Sequence, residues 1–149
     1  MRTIRRTLPF LAMAVALAAC ESTTAPADAM HVQFAVTDSV GGAEAEGILP
    51  LRPTVTVGKG QIDVFGHIRT PNPCSPLSSE VRRTDDTITF VVTAEHGASA
   101  ICAQVITVRE YSAAIKPVKA GSYTLRVVHA YAELQRYDEV VYEQRVTVP

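Results

Sequence analysis

Residues 54–68 read TVTVGKGQIDVFGHI, and this stretch decides the fold class. Val55 and Val57 alternate with threonine before Gly58-Lys59-Gly60, and every second position from Ile62 to Ile68 is apolar or glycine. A period of two places alternate side chains on one face of a strand. A short glycine-containing turn between two such runs is typical of a β-hairpin. The stretch therefore predicts two antiparallel strands with one buried face.

The same alternation continues on both sides of this hairpin. It predicts further strands at Met30–Thr37, Leu77–Arg83, Ile88–Ala94, Ile101–Tyr111, Ala114–Ile115, Tyr123–His129 and Val140–Val148. The segment Thr70–Pro76 holds three prolines and cannot join a ladder. Residues 131–138 fit a hairpin loop or a short helix, and we prefer the loop. The pattern predicts one all-β domain at residues 30–149, an antiparallel sandwich of about seven to nine strands.

The N-terminus reads as an export signal. Arg2, Arg5 and Arg6 precede an uncharged run that ends at Cys20 and is shorter than the ~18 apolar residues of a membrane-spanning helix. Leu17-Ala18-Ala19-Cys20 resembles the bacterial lipobox. The resemblance implies a signal peptide at residues 1–19, a diacylglycerol on the thiol of Cys20, and a flexible tether at residues 20–29.

This resemblance implies a lipid-anchored protein of the bacterial cell envelope. The outer membrane, facing the periplasm, is favoured in a Gram-negative host; the inner membrane stays open because the sorting role of Glu21 differs between lineages. We expect no cofactor besides the covalent lipid. The whole chain has 14 basic and 15 acidic residues, a balance that excludes strongly basic nucleic-acid-binding proteins. Attachment to the membrane is therefore expected to rest on the lipid.

Two cysteines remain once Cys20 carries lipid. Cys74 and Cys102 form an even pair in a compartment that permits disulfides. A bridge would close a loop of 29 residues and stabilise the fold by about 3.6 kcal/mol in the chain-entropy estimate. The alternative is a metal site with two thiolates, but neither cysteine has the CxxC or HxxxH spacing of zinc sites. We predict the disulfide.

The segment Pro117–Tyr123 carries a second resemblance. Followed by alternating Leu125 and Val127, it is similar to the corner before the penultimate strand of immunoglobulin-like and fibronectin type III sandwiches. The resemblance implies a turn at Gly121, a hydrogen bond from Tyr123 back across the corner, and an immunoglobulin-like sandwich. The chain has no tryptophan, and its cysteines are too close for the inter-sheet pair of antibody domains. Fold likeness alone assigns no function.

Motifs for chemistry are scarce. His31, His67, His96 and His129 lie 36, 29 and 33 residues apart, which favours separate surface or strand-end side chains over a metal site. No GxSxG elbow is present, and Ser99 near His96 has the composition of an ordinary loop. We therefore expect no catalytic residues and no metal ligands.

The sequence favours a non-catalytic domain that binds or scaffolds an envelope protein through loops or a strand edge. The expected binding surface joins the loop at Pro71, Asn72 and Pro73 to the loop at His96 and Ser99, since a Cys74–Cys102 bridge would make them neighbours. Alternatives are a periplasmic metal-binding protein, a protease inhibitor that presents the proline-rich loop, and a small hydrolase.

Overall fold

The computed structural model describes residues 29–41, 52–95, 102–103, 105–132 and 137–149. The lipobox with Cys20, nearly all of the tether, and the loop with His96 and Ser99 lie outside these residues. The described part of the chain contains no helix with the length and apolar composition that a membrane crossing requires.

Eight strands are present in the described residues. They are β1 (His31–Gly41), β2 (Thr54–Gly58), β3 (Gln61–Thr70), β4 (Leu77–Thr84), β5 (Thr87–Ala94), β6 (Thr107–Lys116), β7 (Gly121–Tyr131) and β8 (Tyr137–Val148). Sheet A has the order β1-β6-β3-β2, and sheet B has the order β4-β5-β7-β8. The predicted all-β sandwich is confirmed, and the hairpin at residues 54–68 appears as β2 and β3.

One described strand pair departs from the antiparallel pattern. β5 and β7 run parallel, with Ile88 beside Leu125 and Val92 beside His129. After β5 the chain crosses to sheet A, forms β6, and returns to sheet B as β7. Parallel neighbours need such a long crossover, whereas immunoglobulin sheets are antiparallel.

The prediction for the sixth strand was wrong in its bounds. The strand expected at Ile101–Tyr111, with a separate piece at Ala114–Ile115, is one strand, β6, over Thr107–Lys116. It starts later because Cys102 is tied to Cys74 outside the sheet. It continues further because its small residues pair with β1 on one side and with β3 on the other.

β7 and β8 are antiparallel neighbours that approach each other at residues 131–138, the segment for which we prefer a loop to a short helix. Tyr131 pairs with Tyr137, so both strands extend into the ambiguous segment from either end. Residues 133–136 lie outside the described part. The β8 strand also shifts register between its pairings with Val127 and Val128.

The core lies between the two sheets and follows the alternation. Fully buried apolar side chains alternate along the central strands: Ile62, Val64, Ile68, Ile88, Phe90, Val92, Tyr111, Ile115, Leu125 and Val127. Phe34 places its ring centroid 6.4 Å from that of Phe90 and 6.0 Å from that of Tyr111. The outward positions of the same strands then decide which surfaces the sandwich presents.

Candidate functional site

The predicted disulfide between Cys74 and Cys102 is confirmed, with 6.1 Å between the Cα atoms. It pins the proline-rich loop, but that loop uses its polar groups internally. Asn72 is buried, and its Oδ1 accepts hydrogen bonds from Cys74 N at 3.0 Å and Ser75 Oγ at 3.2 Å. Cys102 Sγ also lies 3.4 Å from this oxygen, a contact only, because a disulfide sulfur has no proton to donate. The side-chain oxygen of Asn72 therefore holds the loop together.

The rest of the expected loop surface is only partly visible. Pro71 is half-buried and Pro73 is exposed. Arg109 Nη1 donates to Pro73 O at 3.4 Å and to Ser75 O at 3.3 Å, which fixes the loop against β6. Since His96 and Ser99 lie outside the described residues, the loop surface stays a prediction.

The corner that resembles immunoglobulin-like domains has its hydrogen bond. Tyr123 Oη donates to Lys119 O at 2.9 Å. A Cβ at Gly121 would lie 3.3 Å from Tyr123 Oη, so the ring packs closely over the glycine. The guanidinium of Arg83 lies 4.9 Å from the centroid of the Tyr123 ring. These contacts pack Tyr123 into the corner before β7.

The described histidines do not converge. His31 is exposed on β1, and His67 on β3 places Nε2 3.5 Å from Glu110 Oε2. The expectation of surface or strand-end histidines was wrong for His129, which is fully buried on β7. Among the described residues, no group of three or more histidine, cysteine or acidic side chains could hold a metal ion.

His129 forms a buried polar pair with Tyr111. Tyr111 Oη and His129 Nε2 are 3.0 Å apart, and the rings meet edge to face. Burial lowers the pKa of His129 to about 4, and burial, followed by the charge of Tyr131, raises the pKa of Tyr111 above its ordinary value. Both groups are therefore neutral at pH 7. Because both side chains are fully buried, no substrate reaches them, and the pair is part of the core.

A hollow on the outer face of sheet A is the most distinctive surface feature. Its volume is about 390 Å³. Ser112 and Ala114 on the central strand β6 form its floor, and Ala35 on β1 forms one side. Phe65 on β3 rises beside it and is 42% exposed. We call this feature, with Gln33, Asp63, Thr54 and Thr56 around it, the outer hollow.

The register of the strands explains the outer hollow. The outward side chains on β6 and at Ala35 on β1 are small, whereas those of Phe65 and Asp63 on the neighbouring strand β3 are larger, so the face is lower beside β3. The ring of His67 meets Phe65 edge-on at 5.6 Å. Asp63 Oδ1 accepts a hydrogen bond from Gln61 Nε2 at 2.6 Å. One wall is therefore aromatic, and its neighbouring carboxylate is already engaged.

The sequence prediction missed this site, although one signal was present. In the alternation of β3, Phe65 is a large apolar residue at an outward position, where the pattern calls for a polar one. The floor had no comparable signal, because serine and alanine at outward positions of a strand are unremarkable until the neighbouring strands are known.

The outer face of sheet B differs in charge. A second hollow of about 340 Å³ lies there, lined in part by Glu80, Arg82 and Asp138. Arg82 pairs with Glu80, and on the same sheet Arg126 Nε lies 3.0 Å from Glu143 Oε2. Exposed ion pairs of this kind are typical of a solvated surface.

Comparison with known proteins gives one match. The family model described as the ORF11 beta-sandwich domain matches residues 67–147, more than half of the chain. The match runs from β3 to β8 and includes the floor of the outer hollow. No curated protein and no solved structure matches.

Proposed function

The chain belongs to the ORF11 beta-sandwich domain family, and from that premise we propose that it is a lipid-anchored envelope protein whose sandwich binds a folded protein domain without catalysing a reaction. The binding surface is the outer hollow on sheet A. We prefer it to the loop at Pro71–Pro73 as the leading candidate surface, since Asn72 is buried and its Oδ1 accepts hydrogen bonds within that loop.

The anchor is supported by the lipobox-like sequence that ends in Cys20 and by where the first strand begins. β1 starts at His31, so about ten residues separate the lipid from the sandwich. Ten residues of a flexible chain reach roughly 17–19 Å r.m.s.. The domain would then work close to the membrane surface, on partners held in or near the same membrane.

The observation that carries the binding proposal is the exposure of Phe65 beside a hollow whose described lining has one charged side chain, Asp63. The ring is 42% exposed, and the adjoining volume is about 390 Å³. Aromatic residues are enriched and charged residues are depleted at the centres of protein interfaces. A hollow beside an aromatic side chain also offers a pocket of the kind that interface anchors fill.

The lining residues argue against catalysis at this site. Among the described residues that line the outer hollow, Asp63 is the only one with an acidic or basic side chain. General acid–base and nucleophilic mechanisms need a second group within hydrogen-bond reach of the first. The hydrogen bond that Asp63 accepts from Gln61 further supports a structural role for its carboxylate.

Site-specific photo-cross-linking in the native host tests the proposal. A photoreactive residue at Thr56, on the rim of the outer hollow, should give a discrete cross-linked adduct. The matched control is the same residue at Thr93, which lines the hollow on sheet B and should give none. Phe65→Ala should abolish the adduct, and Cys20→Ala should weaken it by releasing the domain from the membrane.

Two results would reject this function. Equal adducts from Thr56 and Thr93 would mean that neither face is selective. An adduct that survives Phe65→Ala unchanged would mean that the aromatic wall does not take part.

A further inference from the structure

We propose that the domain bound at the outer hollow is a second copy of this chain, in a face-to-face dimer whose two-fold axis runs parallel to the strands, between β6 and β3. This inference rests on the proposed function, since it names the partner of the same surface. It follows from the order in which the outward side chains lie across sheet A.

Two rows of outward residues cross all four strands of sheet A. From β1 to β2, one row is Ala35, Ser112, Phe65 and Thr54, and the next is Gln33, Ala114, Asp63 and Thr56. The protruding Phe65 thus lies directly beside the floor residue Ser112. A two-fold interface pairs one patch with itself, so it requires a protrusion and a matching recess on the same patch. The first row supplies both.

The position of the axis follows from this row. Rotation about an axis parallel to the strands and midway between β6 and β3 exchanges the outward positions of these two strands. Phe65 of each copy then lies over Ser112 of the other, and both hollows are filled at once. An axis perpendicular to the strands would instead stack β3 on β3 and leave one hollow facing the other.

The charges on the face agree with the parallel axis. Glu110 on β6 pairs in register with His67 on β3. The same rotation brings Glu110 of one copy over His67 of the other, so the carboxylate meets a ring that can donate a hydrogen bond. Asp63 comes to lie over Ala114. These facing positions bring no two like charges together, and such charges would otherwise oppose association.

The direction of the chain fits a shared membrane. A two-fold axis parallel to the strands leaves both copies running in the same direction. Both copies of β1 therefore begin at the same end of the dimer, at His31. The two tethers leave from that end and can reach one membrane.

The size of the face predicts a weak dimer. Four strands about 4.8 Å apart, over about six residues of 3.4 Å each, cover roughly 400 Å² per copy. A total of roughly 800 Å² is below the 1,200–2,000 Å² of standard stable interfaces. Association would therefore depend on the membrane, where tethering raises the effective concentration.

Sedimentation velocity of the lipidated full-length chain in detergent, over a range of concentrations, measures this association. Phe65→Ala removes the protrusion, and Ser112→Glu places a carboxylate in the recess. Each should weaken dimerisation by about tenfold or more, as expected for an aromatic anchor and its pocket. The matched controls lie on sheet B: Val140→Ala, which alters a residue that is 44% exposed, and Thr93→Glu. Both controls should leave the dimer unchanged, and melting temperatures confirm that all variants fold.

The outcomes separate this inference from the proposed function. A chain that stays monomeric up to about 1 mM would overturn the dimer, because only very weak complexes are dissociated at that concentration. A dimer that resists both Phe65→Ala and Ser112→Glu would do the same. In the host experiment, a Thr56 adduct of twice the chain's mass supports the dimer. An adduct with a different protein would overturn it and leave the binding function standing, whereas no adduct would overturn both.

Discussion

Sheet A has a recess on each of its faces, and the two recesses have different occupants. On the inner face, Gly66 leaves room that Tyr111 fills, so that a Cβ at Gly66 would lie 2.5 Å from Tyr111 Oη. On the outer face, Ser112 and Ala114 leave about 390 Å³ that no described part of the chain fills. Small residues in a strand create both recesses. The inner recess is filled by a side chain of the same molecule, and the outer recess is proposed to be filled by a side chain of a second copy.

The two recesses also differ in the side chains that lie beside them. Tyr111, which fills the inner recess, also forms a hydrogen bond with His129 at 3.0 Å. This contact satisfies one polar group of each buried ring. Beside the outer recess, Phe65 protrudes without entering it. Changes on the inner face should therefore alter stability, whereas changes on the outer face should alter association.

Gly66→Ala should have the largest effect on stability. Its Cβ would also lie 2.7 Å from Tyr111 Cζ and 3.1 Å from Pro53 Cβ, so the ring or the backbone has to move. We expect a loss of about 3 kcal/mol or more in the free energy of unfolding, measured with urea. The control is Gly58→Ala in the same sheet, where the nearest atom to the new Cβ is Gln61 O at 3.9 Å. A similar loss in both variants would contradict the close packing over Gly66.

Acidification should destabilise the protein through His129. Its pKa is about 4 in the folded state against an ordinary value of 6.5, because burial disfavours the charged ring. As the pH falls from 6.5 to 4, the unfolded chain therefore takes up a proton on His129 that the folded chain does not bind. Above pH 6.5 this titration does not lower the free energy of unfolding. By pH 4 it has lowered the free energy of unfolding by up to about 3 kcal/mol.

The His129→Leu variant isolates this titration. Carboxylates elsewhere contribute equally to the native chain and to the variant, so the difference between their unfolding free energies reports His129 alone. As the pH falls from 6.5 to 4, the native chain should lose up to about 3 kcal/mol of unfolding free energy relative to the variant. A difference that stays constant over this range would contradict the lowered pKa.

Breaking the Tyr111–His129 hydrogen bond should have an intermediate effect. Tyr111→Phe leaves His129 Nε2 buried without its partner and should cost about 2 kcal/mol. His129 Nδ1 already lacks a partner among the described residues, so the ring then has none there. The double variant Tyr111→Phe/His129→Leu should cost less than the sum of the two single variants. Simple additivity in this cycle would mean that the hydrogen bond contributes nothing.

The strands could be predicted from the sequence because the core of a sandwich enforces alternation. The hairpin of β2 and β3 and the turn at Asp85-Asp86 have local causes in glycine, in aspartate and in the phase of the apolar residues. The start of β6 could not be found in this way. The β-branched residues before Thr107 have strand propensity, but the bridge to Cys74 holds Cys102 outside the sheet.

The features that depend on several strands at once could not be predicted. We expected His129 to be a surface or strand-end residue, yet β7 is central in sheet B and the ring of His129 lies within hydrogen-bond distance of Tyr111 on the facing sheet. The outer hollow requires β1, β6 and β3 to be neighbours in a particular register, and no local pattern contains that order. Only Phe65, out of phase in its strand, gave a sign of it.

Ser112→Leu tests the central claim most directly. The leucine side chain fills the outer recess from the chain's own side and adds apolar surface to the same face. Because Ser112 lies on the outer face, the free energy of unfolding should stay within about 0.5 kcal/mol of the native value. Self-association in sedimentation velocity should nevertheless weaken by about tenfold, since Phe65 of a second copy can no longer enter the recess. Equal or tighter association, as general apolar attraction would produce, would contradict the claim that this recess is a docking site.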